Sequence, residues 1–201
     1  MLSLVQVHSL SDILPMYRGT PVERLLRYHN LGEPLPPSTG RAEMLVGMCM
    51  DHRKELRLPS EFAYVLRAAG GNLRGSEFEI SYAVGVARVS AIVLLAHTDC
   101  GMAHVTEKRE IFVRGLVEWG GCDEDTASRQ FAEHATRYEI GDPLQFVVSE
   151  AVRIQSHYPR LMVAPLFYTV EDDRLTQITD DRNYEGAARF APGERQSTST
   201  A

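Results

Sequence analysis

Along the chain, short unbroken apolar runs alternate with longer stretches in which apolar residues return every three or four positions. The runs are residues 44–50 (MLVGMCM), 62–66 (FAYVL) and 91–96 (AIVLLA), and their length suits buried strands better than helices. Helical patterns lie between and after them. Ser76 with Glu79 three residues on has the form of a capping box opening a helix to about Arg88, and residues 106–119, 123–138 and 142–157 each repeat with helical spacing. In the last of these Asp142 stands at the cap and Pro143 at the first helical position, where a missing N–H is harmless. Residues 161–170 and 174–178, joined by Glu171-Asp172-Asp173, predict a strand, a turn and a short strand. Strands and helices in this alternation predict an α/β fold with a parallel sheet.

The two ends differ from this middle. Residues 1–31 are helix-like and are set apart by a Pro/Gly/Ser loop over 32–40 (GEPLPPSTG), which predicts an N-terminal helical arm ahead of an α/β domain over 41–180. Residues 192–201 are small and polar and predict a disordered tail.

Composition narrows the function. A chain of 201 residues, 44% hydrophobic and 24% charged, is long enough for one domain with a sizeable core. Its net charge of -6 and pI near 5.6 argue against nucleic acid or an anionic membrane as partner. The basic residues are almost all arginines scattered along the chain, with Lys54 and Lys108 the two lysines. No apolar run approaches the roughly 18 residues that a membrane span needs, and the start lacks a basic segment followed by a clean apolar one. A cytoplasmic protein is expected. Three cysteines, an odd number, make a disulfide framework a poor fit and point to metal ligands or buried thiols.

The cysteines stand where chemistry is expected. Residues 49–53 read Cys-Met-Asp-His-Arg at the end of the first run, and strand alternation would put Cys49, Asp51 and Arg53 on one face. Residues 97–101 read His-Thr-Asp-Cys-Gly at the end of the third run. Carboxyl ends of parallel strands are where open α/β sheets build their sites. Two thiolates and an imidazole, Cys49, Cys100 and His97, suit zinc, and three protein ligands leave a fourth position open as in catalytic sites. The long separation of Cys49 from His97 rules out the paired spacing of zinc fingers.

The motif C-x-D-x-R followed by H-x-x-C-G resembles the β-class carbonic anhydrases, in particular the compact bacterial branch that also includes carbonyl sulfide hydrolases. The text between agrees: Arg67-Ala68-Ala69-Gly70 is similar to the family's R-N-A-G, and Ile80-Ser81-Tyr82-Ala83-Val84 to its S-x-E-Y-A-V helix. The match is sharpest over residues 41–105. Three positions depart from the pattern: Ala68 replaces the asparagine, Gly40 stands where a glutamine is often found, and His52 replaces a small residue.

The resemblance implies a parallel-centred sheet flanked by helices and an obligate homodimer or an assembly of dimers, with the N-terminal helices embracing the partner. It also implies zinc on Cys49, His97 and Cys100, and a catalytic Asp51–Arg53 pair serving a metal-bound water. Tyr64, Tyr82 and Gly101 align with substrate-side positions. The activity it implies is the lyase reaction of a carbonic anhydrase, zinc-dependent reversible hydration of carbon dioxide to bicarbonate. Hydrolysis of carbonyl sulfide or carbon disulfide, and a non-catalytic zinc-binding subunit of the same fold, are the alternatives. Among the remaining residues, Asp99 is expected to cap a helix beginning near Cys100, and His104 to share a face of that helix with Cys100. His52 should point away from the site, and Cys122 should be a free thiol in a turn.

Overall fold

The computed structural model describes residues 1–34, 40–53 and 55–180. The tail expected over 192–201 and residues 35–39 of the expected loop lie outside them. Six strands form one mixed sheet: β1 (Leu2–Val5), β2 (Met44–Cys49), β3 (Ala63–Ala68), β4 (Ala91–His97), β5 (Met162–Thr169) and β6 (Arg174–Asp180), in the order β1-β6-β5-β4-β2-β3. The pairs β2–β3, β2–β4 and β4–β5 are parallel, and β5–β6 and β1–β6 are antiparallel. Among the described residues five α-helices accompany the sheet: α1 (Pro21–Leu31), α2 (Glu77–Gly85), α3 (Arg109–Glu118), α4 (Glu124–Tyr138) and α5 (Pro143–His157).

Every residue of β2 and β4 is buried, which is why their apolar runs are unbroken. Alternation still sorts their side chains. Met44, Val46 and Met48 with Ala91, Val93 and Leu95 face one core, which Val22, Leu25 and Leu26 of α1 close. Leu45, Ile92, Leu94 and Ala96 face the other, built with Ile80 and Ala83 of α2 and with Val147, Ala151 and Ile154 of α5. On that face a Cβ at Gly47 would lie 2.5 Å from Leu73 Cδ1, so the small residue in the run is what lets Leu73 pack onto β2.

The N-terminal segment is not a helical arm. Residues 2–5 form a strand on β6, and Val7, Ile13, Tyr17, Val22, Leu25 and Leu26, none more than 1% exposed, belong to the same core as β2 and β4. The cause is the apolar stripe of α1, whose Val22, Leu25, Leu26 and His29 return at helical spacing and cover a sheet face that would otherwise be bare. Each such burial contributes about 1.5–3 kcal/mol, so detaching the segment would cost the domain one of its two cores.

Two helix boundaries also move. Ser76 precedes α2 but its side chain makes no capping bond, and the helix ends at Gly85, short of Arg88, whose φ of 56° is left-handed. The stretch 106–119 divides into a 3-10 turn over Val105–Lys108 and then α3. The caps at Asp123 and Asp142 form as expected, their carboxylates accepting from the backbone N–H of Thr126 at 2.9 Å and of Gln145 at 2.7 Å. None of the described helices is long and apolar enough to cross a membrane.

Candidate metal centre

The strand order places the chemistry. β2 has β3 on one side and β4 on the other, so the chain leaves β2 in one direction and returns across it, and the crevice at such a reversal is where open α/β sheets hold ligands. Cys49 ends β2, and His97 ends the neighbouring β4. Cys100 follows after a two-residue turn.

The sulfur atoms of Cys49 and Cys100 and a ring nitrogen of His97 all lie within 4.8 Å of one another, and all three residues are buried. Nδ1–H of His97 donates to the Thr98 carbonyl at 2.7 Å, which leaves Nε2 as the lone-pair nitrogen. That Nε2 is buried and has no hydrogen-bond partner among the described residues, and it stands beside two sulfurs. The Cys49 thiol is pushed down to about 3: a hydrogen bond from Cys100 is the main cause, burial opposes it, and the His97 imidazole and the backbone N–H groups of Asp51 and Gly70 add to the lowering. A thiolate held by backbone donors next to an unsatisfied imidazole is a donor set suited to a soft or borderline divalent ion.

Asp51 and Arg53 sit where the chain turns out of β2. The extended path expected there stops at Cys49, and an Asx-type turn replaces it: the Arg53 backbone N–H donates to Asp51 Oδ1 at 2.9 Å. The pair forms all the same. Arg53 Nε donates to Asp51 Oδ1 at 3.1 Å and Nη2 donates to Oδ2 at 2.7 Å. The two carboxylate neighbours, Asp51 first and Asp99 second, hold the Arg53 guanidinium above its usual range.

Asp99 does not cap a helix. Residues 98–104 are turns, Asp99 itself has a left-handed φ of 52°, and its carboxylate and carbonyl both accept from Arg53. For the same reason His104 shares no helical face with Cys100; it is exposed, 3.9 Å from Glu107. His52 is exposed, and Cys122 lies between α3 and α4.

Gly70 is a residue whose role the sequence did not disclose. Its φ of 64° and the 2.7 Å that would separate a Cβ from Ile140 Cγ2 both demand glycine, and its N–H is one of the Cys49 donors. The repeated small residues of Ala68-Ala69-Gly70-Gly71 were the available signal.

The positions expected on the substrate side are spread out. Gly101 adjoins Cys100, and its carbonyl accepts from Lys108 Nζ at 2.7 Å. Tyr64 pairs in register with Leu45, whereas Cys49 pairs with Ala68, so Tyr64 lies about 13 Å back along the strand. Tyr64 and Tyr82 are 45% and 50% exposed, and Phe78 and Val86 are exposed apolar residues in and just after the helix that carries Tyr82.

Solved structures share this architecture. A β-carbonic anhydrase from Trichomonas vaginalis matches with a TM-score of 0.58 over 75% of this chain and 90% of its own, at 14% identity. The fold is that of the β-carbonic anhydrases. A carbonic anhydrase from Streptococcus mutans matches with a TM-score of 0.55 over 79% of this chain and 95% of its own, at 18% identity. One from Glaciozyma antarctica also gives 0.55, over 84% and 98%, at 20% identity. No family model matches the chain, and no curated protein does.

Proposed function

We propose that the chain holds zinc on Cys49, His97 and Cys100 and catalyses the reversible hydration of carbon dioxide to bicarbonate. The observation that carries this reading is the buried His97 Nε2, without a hydrogen-bond partner among the described residues and within 4.8 Å of two cysteine sulfurs, at the strand ends of a β-carbonic anhydrase fold. Zinc held by three protein ligands would supply an acidified water and an open position for it.

The chain's own residues do the rest. Asp51, as a carboxylate, accepts a hydrogen bond from the attacking water and turns its lone pair toward the substrate carbon. Arg53 keeps that carboxylate ionised and occupied, so that it does not itself become a ligand. The N–H groups of Asp51 and Gly70 stabilise the Cys49 thiolate, so that the sulfur is deprotonated and held in place for ligation.

Substrate enclosure needs a second copy. β3 is a sheet edge, and the exposed Tyr64 of β3, on the α2 side of the sheet, with the exposed Phe78, Tyr82 and Val86 offers apolar surface that suits a homodimer interface. In this reading Tyr64 and Tyr82 contribute to the pocket at that interface, and Gly101 lines it beside Cys100.

The test is a paired assay of carbon dioxide hydration and carbonyl sulfide hydrolysis on one zinc-replete preparation whose mass is read by sedimentation. Dominant hydration by a dimer is expected. Efficient carbonyl sulfide turnover with negligible hydration would transfer the activity to the hydrolase reading, and a zinc-loaded protein inert in both assays would make it a non-catalytic subunit. A stable monomer at micromolar concentration would remove the interface.

A further inference from the structure

Arg53 is held from two sides. Asp51 takes its Nε and one Nη2 proton, while Asp99 takes two more: Nη1 donates to Asp99 Oδ2 at 2.7 Å and Nη2 donates to the Asp99 carbonyl at 2.9 Å. The guanidinium is a rigid plane, so two acceptors on one edge and two on another leave it one orientation. Asp51 and Arg53 sit on the same short turn and could move together. Asp99 lies between His97 and Cys100, and it ties that turn to the strand end carrying two of the three ligand residues.

The backbone supports the same conclusion. Asp99 has a φ of 52°, a conformation unfavourable for a residue with a Cβ, and it is this turn that brings carbonyl and carboxylate to one side. The Asp99 side chain is 78% exposed, and an ion pair so open to solvent contributes little to folding. Strain without a matching gain in stability fits a task in the site.

We propose that Asp99 is a positioning residue: through Arg53 it sets where the Asp51 carboxylate stands relative to Cys49, His97 and Cys100. This inference rests on the catalytic reading of Asp51 given above. It assigns Asp99 no contact with substrate.

The test compares Asp99→Ala, Asp99→Gly and Asp99→Asn in zinc-replete protein. Glycine removes the carboxylate and also the backbone strain, so it reports on the side chain even if the alanine variant folds poorly. Two readouts are taken: solvent exchange of the Arg53 Nε–H in nitrogen-edited spectra, and kcat and KM for carbon dioxide. Alanine and glycine should speed the exchange at least about tenfold and lower kcat about tenfold, with KM and zinc content unchanged. Asparagine, which keeps an acceptor oxygen and tolerates left-handed backbone, should recover most of both. Wild-type exchange and wild-type kcat in Asp99→Gly would overturn the proposal, as would a loss that asparagine fails to recover. If the wild-type protein shows no turnover, the function fails, and the Arg53 exchange still decides whether Asp99 holds the guanidinium.

Discussion

Two turns leave the carboxyl end of the sheet beside the candidate metal centre, one from β4 and one from β2, and they are built differently. The β4 turn is short and local. His97 and Cys100 are three residues apart, the Ala103 N–H donates to the Cys100 carbonyl at 3.1 Å, and Thr98 anchors the turn to β5 through its N–H on the Tyr168 carbonyl at 3.1 Å. The β2 turn opens a longer crossing to β3 whose described residues form no helix or strand, and contacts from remote parts of the chain hold it. The Glu55 N–H bonds to the Tyr168 hydroxyl, the Arg57 N–H donates to His29 Nδ1 at 3.2 Å, and Arg57 Nη2 donates to the His29 carbonyl at 2.5 Å. Two of the three candidate ligands, His97 and Cys100, therefore share one short turn, whereas the crossing that follows the Asp51–Arg53 pair is held by tertiary contacts. The difference teaches that ligation and turnover should be separable.

The largest effect that can break this comparison falls on the ligands. Cys100→Ser should weaken metal binding more than about 100-fold, beyond what loss of an outer-shell partner costs, because serine replaces a thiolate with a poor donor. Metal content after dialysis checks it. A fully zinc-loaded Cys100→Ser protein would show that Cys100 is not a required ligand.

What could be read from the sequence follows the same division. The clustering of Cys49, His97 and Cys100 was legible because β2 and β4 are buried on both faces, so their apolar runs end sharply at Cys49 and His97, and because His97 and Cys100 are close in sequence. The caps at Asp123 and Asp142 were legible for the same local reason. Other features were not. β1 exists because β6 lies beside it, some 175 residues away in the register of Leu2 with Asp180, and nothing in Leu2-Ser3-Leu4-Val5 discloses that partner. The packing of residues 1–31 onto the sheet needed the bare face that β2, β4 and β5 create. Asp99 read as a cap because an Asp before a turn usually is one; its left-handed backbone and its hold on Arg53 depend on a residue 46 positions earlier.

Gly70 offers an intermediate effect that sharpens the comparison, since it joins the β3 end to both the Cys49 sulfur and the loop carrying Ile140. Gly70→Ala places a Cβ 2.7 Å from Ile140 Cγ2 and 3.1 Å from Met102 Cβ, at a left-handed φ. It should destabilise by about 2–4 kcal/mol, the sum of overpacking and backbone strain. Urea unfolding of the two proteins measures it. Unchanged stability would mean that the neighbouring turn yields freely, and that the support under Cys49 is softer than the β4 turn.

The smallest effect is pH-dependent and touches only the remote anchors of the β2 turn. His29 is fully buried, and burial is the main reason that its pKa is lowered, with a hydrogen bond to the Asp173 carbonyl acting against it. Its neutral tautomer is set by its partners: Nε2–H donates to the Asp173 carbonyl at 2.7 Å, and Nδ1 accepts from the Arg57 N–H. Protonation would put a second donor against that N–H, near the Arg57 guanidinium, while the nearby Asp173 carboxylate is already engaged by the Tyr168 hydroxyl at 2.5 Å. A histidine with a lowered folded pKa binds its proton more readily in the unfolded chain. Stability is therefore complete above the ordinary histidine value of about 6.5 and falls as pH drops below it, until the folded pKa is reached. One proton sets the limit at about 1.4 kcal/mol per pH unit, and a loss of about 1 kcal/mol between pH 7 and 5.5 is expected. His29→Gln removes this titration, so its urea midpoint should vary less over that interval than the wild-type one. If the two proteins lose stability in parallel, His29 is not the group that titrates, and the anchoring of the β2 turn does not depend on its neutral ring.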